Sequence, residues 1–138
     1  MVKYLTPKQL LRIHLLVMER FGEGEHAGIF LPDRFYSATE RPRINVFHKE
    51  LYPDIWQKAA VLVQAIVQEH PFHNGNKRTA FAALDVFLKI NGYELTLSNE
   101  EGIQLMIRIA TDKDLKGKDG LTGITKMIKS SSNGIHTH

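Results

Sequence analysis

A chain of 138 residues, 43% apolar, 24% charged and without cysteine, is long enough for one domain with a buried core and excludes disulfides and thiol catalysis. It has no run of 18 apolar residues and no apolar leader ahead of a small-residue cleavage site, so a cytoplasmic protein without membrane span or secretory signal is expected. The net charge of +3 is modest. Lys113, Lys116, Lys118, Lys126 and Lys129 carry much of it as a solvated face, with no dense basic stripe of the kind that marks a nucleic-acid partner.

In chain order, the first predicted element is a helix. Thr6 and Gln9 form a T-x-x-Q capping box around Pro7, Leu10, Ile13, Val17 and Phe21 recur at helical spacing, and Gly22 stops the run. His14 lies on the apolar stripe and reads as a hydrogen-bonded core residue. From Gly22 to Pro42, "GEGEHAGIFLPDRFYSATERP", three glycines and two prolines predict a loop, with "GIFL" able to form a small β element. Its length suits a lid or binding loop. Ile44 to Leu51 is ambiguous.

A strong helix follows from about Pro53 to His70, striped by Ile55, Ala59, Leu62, Val63, Ile66 and Val67. His70 continues that stripe four residues beyond Ile66. The next helix runs from near Asn76 to about Asn91, with Ala80, Phe81, Leu84, Phe87 and Leu88 inward and Gly92 as its stop. "YELTL" is a short extended piece. Ser98 and Glu101 cap another helix through Ile103, Met106, Ile107 and Ala110. "DKDLKGKDG" is a polar link, a last helix spans about Leu121 to Lys129, and "SSSNGIHTH" is a frayed tail. The expected fold class is all-α, about six helices and a small β-hairpin, in a single domain over residues 1–138.

The chemistry concentrates in "HPFHNGNKRTA", His70 to Ala80. Only Pro71 to Gly75 separate the two central helices, so the second starts inside the protein with unpaired N–H groups facing the gap. Gly75 permits a tight turn, and successive N–H groups at a helix start cradle anions. Lys77 and Arg78 place two cations where the helix dipole favours acids, which makes sense if a phosphate binds there. His70, when neutral, can take a proton from an attacking hydroxyl, pointing to phosphoryl or nucleotidyl transfer. Phe72 is the residue of the loop expected to plug into the core. The spacing is not that of a Walker A loop, since Gly75 precedes Lys77 by two residues. Zinc is disfavoured: no H-E-x-x-H motif exists, Pro71 interrupts His70 and His73, and His26, His48, His136 and His138 lack ligand spacing.

"HPFHNGNKR" resembles the signature of the Fic/Doc family, H-x-F-x-[DE]-G-N-x-R, and most closely its death-on-curing branch of Doc-like toxins. "LLRIHLLVMERFG", "GIFLPDRFYSATERP" and "NKRTAFAALDVFLKINGYEL" are similar to the flanking segments, so the resemblance covers nearly the whole chain. It implies a compact Fic fold in which a flap aligns a target segment through Gly28, Ile29, Phe30 and Leu31. By similarity His70 is the catalytic base, Gly75 and Asn76 lie in the anion hole, Arg78 meets nucleotide phosphates, and ATP with magnesium is the cosubstrate. The resemblance also implies a separate antitoxin partner covering the site. "TLSNEE", which comes near an internal inhibitory motif, reads instead as a helix cap.

Two positions depart from the general family pattern. Lys77 stands where most Fic proteins have glycine and transfer AMP. Doc-like toxins with lysine there phosphorylate the translation elongation factor Tu, so the resemblance implies a kinase using the γ-phosphate, with AMP transfer (AMPylation) as the alternative. Asn74 stands where the family holds magnesium with an acid. A neutral amide offers a hard cation an oxygen without charge, which leaves weak metal binding or a catalytically impaired binding module as further alternatives. Asp85 lies too far along its helix to replace it.

Overall fold

The computed structural model describes residues 1–135. Helix α1 spans Pro7–Phe21, and both halves of its capping box form: the Thr6 Oγ1 accepts from the Gln9 N–H at 3.1 Å and the Gln9 Oε1 from the Thr6 N–H at 2.9 Å. Helix α2 spans Pro32–Glu40 and continues as a 3-10 turn, Arg41–Arg43. Strands β1, Asn45–Val46, and β2, Lys49–Glu50, pair as an antiparallel hairpin. Helix α3, Ile55–Glu69, and helix α4, Asn76–Ile90, flank the histidine-rich turn. Strand β3, Tyr93–Leu95, then leads to helix α5, Asn99–Thr111, a 3-10 turn at Lys113–Leu115, helix α6, Gly117–Ser130, and strand β4, Ser132–Gly134.

Helix α3 is the axis of the molecule. Every residue from Lys58 to Val67 is buried, because α2, α4, α5 and α6 all pack around it; a helix apolar on nearly all faces belongs at the centre. Lys58 is the charged exception. Its Nζ donates to the Pro42 carbonyl at 3.2 Å and to Glu50 Oε1 at 3.0 Å, which satisfies the buried cation and ties the hairpin to α3. At the other end of α3, the Gln64 and Gln68 amides donate to the carbonyls of Ile109, Leu115 and Gly117, holding the α5–α6 connection in place.

Among the described residues, the all-α fold with six helices and a small hairpin matches the expectation, but three local readings need correction. The stretch from Gly22 to Pro42 is not all loop: Pro32 opens α2 at a position where its missing N–H is harmless, and Phe35, Ala38 and Thr39 face inward at helical spacing. So short an inward face hid among polar neighbours. The hairpin therefore lies at 45–50, in the ambiguous stretch, while the flap makes a single β-bridge, Ile29 to Phe72. Helix α6 begins at Gly117 rather than near Leu121, since its glycine-rich first turn is held from outside, through the Gln64 bond to the Gly117 carbonyl. The predicted frayed tail pairs in part, β4 lying antiparallel to β3 with Tyr93 opposite Gly134; His136 and His138 lie outside the described residues.

Candidate functional site

The turn between α3 and α4 is shaped by two left-handed residues. His70 ends α3 at φ 50°, ψ 62°: the following Pro71 bars a further right-handed helical residue, and the chain takes the left-handed ending common at helix C-termini. Its side chain consequently leaves the buried stripe that the spacing predicted and is exposed. Gly75, at φ +71°, caps the start of α4, and a Cβ there would lie 2.5 Å from Met18 Sδ. Between them Phe72 is 1% exposed and stacks on His14, with ring centroids 3.9 Å apart.

Asn76 locks this turn internally. Its Oδ1 accepts from the Phe72 N–H and its Nδ2 donates to the Phe72 carbonyl, both at 3.1 Å. The Asn76 side chain is thus spent on loop shape, and its contribution to an anion cradle is its backbone N–H. Among the described residues, no side chain caps α4 and no acid lies in its first turn, which leaves the first-turn N–H groups open at the positive end of the helix dipole. They face a pocket of about 240 Å³ lined by Gly75, Asn76, Lys77 and Arg78 together with Phe21, Gly22 and Glu25. The Arg78 guanidinium sits over the Phe21 ring at 4.3 Å. Phe21 was predicted for the core by spacing but is exposed, at the pocket's edge.

The pKa of His70 is lowered from its ordinary value, first by desolvation and then by the positive charges of Lys77, Arg34 and Lys116. It is therefore neutral at pH 7, the form able to accept a proton. Arg34 is brought alongside by its own bond, Nη1 to the Glu69 carbonyl at 2.9 Å.

The flap lies across the turn. The Phe30 and Leu31 N–H groups donate to the Pro71 carbonyl at 2.8 and 3.1 Å, and the His73 N–H donates to the Gly28 carbonyl at 3.1 Å. Gly28, Ile29, Phe30 and Leu31 are in this way brought to the rim beside His70. His14, Glu25, His26 and Arg34 joined the site without being singled out for it, and no sequence pattern flags contacts between segments so far apart.

Position 74 tests the site against a magnesium ion. A hard divalent cation wants charged oxygens; Asn74 offers a neutral amide whose nitrogen already donates to the His26 carbonyl at 3.0 Å. Among the described residues, no group of three or more His, Asp or Glu side chains could hold a metal. Asp85, for its part, pairs with Lys89 at 3.1 Å. The side chains present do not fit a protein-held magnesium.

Residues 4–88, more than half of the chain, match the Fic/DOC family. The chain belongs to that family. Among its relatives is "Toxin Doc" of Mycolicibacterium smegmatis, 42% identical over 82 residues, a match spanning 57% of this chain and 63% of that protein. Another is "Protein kinase doc" of Escherichia phage P1, 27% identical over 99 residues, spanning 72% of this chain and 76% of the relative. The family match takes in the whole turn from His70 to Arg78, the flap, and most of α4. Among the described residues, no helix is long and apolar enough to cross a membrane.

Proposed function

We propose that this Fic/DOC domain, residues 1–138, is the toxin of a toxin–antitoxin pair and transfers the γ-phosphoryl group of ATP to a hydroxyl of a target protein, with elongation factor Tu as the candidate target. The observation that carries this reading is the uncapped start of α4, whose open N–H groups share a pocket with Lys77 and Arg78. The names of the two relatives agree with it.

In this reading the target lies along the flap at Gly28 to Leu31, its hydroxyl beside His70. The hydroxyl oxygen bonds to the γ-phosphorus as its proton passes to neutral His70. The bond from the γ-phosphorus to the bridging oxygen breaks, and ADP leaves. The α4 N–H groups, Lys77 and Arg78 stabilise charge on the phosphate oxygens. Bound to the nucleotide, magnesium would supply neutralisation of phosphate charge, and no step is assigned to a protein ligand of it. An antitoxin would act by covering this pocket and the flap.

The test is incubation with ATP labelled at the γ- or the α-phosphate, with elongation factor Tu or a cell lysate, under magnesium and manganese. Transfer of γ-label is the expected result, and transfer of α-label instead would make the protein an AMP transferase. No transfer from either position sinks the enzymatic reading and leaves a binding module.

A further inference from the structure

We propose that Asn74 is a side-chain latch that reinforces the hold of the flap on the histidine-rich turn, and that its amide serves this purpose instead of metal ligation. The Asn74 Nδ2 donates to the His26 carbonyl at 3.0 Å, across 48 residues of sequence. A carbonyl can only accept, so the amide nitrogen faces it and the amide oxygen does not. That bond fixes the His26 backbone, and the His26 ring stacks on His73 with centroids 3.9 Å apart and planes 14° from parallel. Phe30 closes on the same His73 ring at 5.0 Å. The latch thus sits at the start of a short chain of contacts running from the turn to the apolar tip of the flap.

An aspartate at 74 has the same shape but no donor, and it would set a negative carboxylate against the carbonyl lone pairs. In this chain an acid at 74 would remove this bond and loosen the flap, which the backbone bonds to Pro71 and Gly28 still hold. The departure from the family pattern therefore has a positive role, as a positioning residue. What the latch does for target binding rests on the function proposed above; the contact does not, and it can be read without any substrate.

The experiment is amide hydrogen exchange by NMR on the full chain as wild type, Asn74→Asp and Asn74→Ala. The reporters are the Gly28, Phe30, Leu31 and His73 N–H groups, all bonded across the flap. Losing one hydrogen bond predicts exchange about fivefold faster at these four amides in both variants, with α5 amides such as Met106 and Ile109 unchanged. A parallel titration of the wild type with magnesium chloride leaves the Asn74 side-chain amide resonance where it was. Unchanged flap exchange in both variants overturns the proposal. So does a saturable magnesium-dependent shift of the Asn74 resonance. Neither outcome bears on whether the protein transfers phosphate.

Discussion

The His14 ring accepts a hydrogen bond from the Gly28 N–H at Nε2, at 2.9 Å, and so fastens the flap to the middle of α1. Because Nε2 accepts, the proton of the neutral ring sits on Nδ1, where it is shared with Thr79 Oγ1 of α4 at 3.0 Å. One buried imidazole therefore joins α1, the flap, α4 and, through stacking, Phe72 of the turn. Its role in the core was legible from the apolar stripe; its role in the site was not.

Acid stability should report this ring. Burial, with a smaller contribution from the charge of His73, lowers the His14 pKa from 6.5 to about 4. The unfolded chain takes up this proton at higher pH than the folded one, so the stabilisation is full above pH 6.5 and is lost as pH falls towards 4. The expected loss is roughly 3 kcal/mol by pH 4. Urea unfolding from pH 7 to pH 4 measures it, and His14→Gln should flatten the curve in that window. An equally steep fall in the variant would assign the effect elsewhere.

His70 separates stability from chemistry. It is exposed yet held at φ 50°, an αL conformation that disfavours a side chain by roughly 1–2 kcal/mol. His70→Gly should leave thermal stability equal or slightly higher while transfer falls by about 100-fold or more, the typical contribution of a general base. With its pKa below 6.5, the acid limb of the pH–rate profile should have its midpoint below that value, rates rising with pH. A midpoint above 6.5 would point to another base.

At Gly75 a side chain meets two obstacles, the positive φ and the Met18 sulfur. Gly75→Ala should lower stability by about 1–2 kcal/mol and distort the pocket. Calorimetry and nucleotide titration read the two effects. A larger loss than that would mean Met18 cannot move aside, while none would mean the turn relaxes out of its positive φ.

Phe21 supports Arg78 at the pocket rim. Phe21→Ala removes a cation–π contact worth about 0.5–1 kcal/mol at an exposed site, so ATP affinity should weaken by roughly two- to fivefold without loss of fold. Isothermal titration of ATP against the variant checks this; unchanged affinity would show that Arg78 holds its position unaided.

Lys77 is the residue on which the choice of reaction rests. Lys77→Gly should reduce γ-label transfer and favour α-label transfer, read with the doubly arranged ATP assay. Loss of both labels would give Lys77 a general role in phosphate binding, and retention of γ-transfer would remove it from the choice.

What the sequence alone determined were the features governed by short-range chemistry. The capping boxes at Thr6 and Ser98 need only residues three apart, and both form as expected. The stripes of α3 and α4 follow from one helical period, and the glycine at 75 announces a turn that opens the start of α4. Only the tertiary structure decided what those features face. The burial of Phe72 against His14 and Phe35 and the placing of Phe21 under Arg78 depend on how the helices pack. The bonds from Asn74 to His26 and from His14 to Thr79 join residues 48 and 65 apart. A donor and an acceptor so distant carry no local signal, because only the packing of α1, the flap and α4 on α3 brings them within reach.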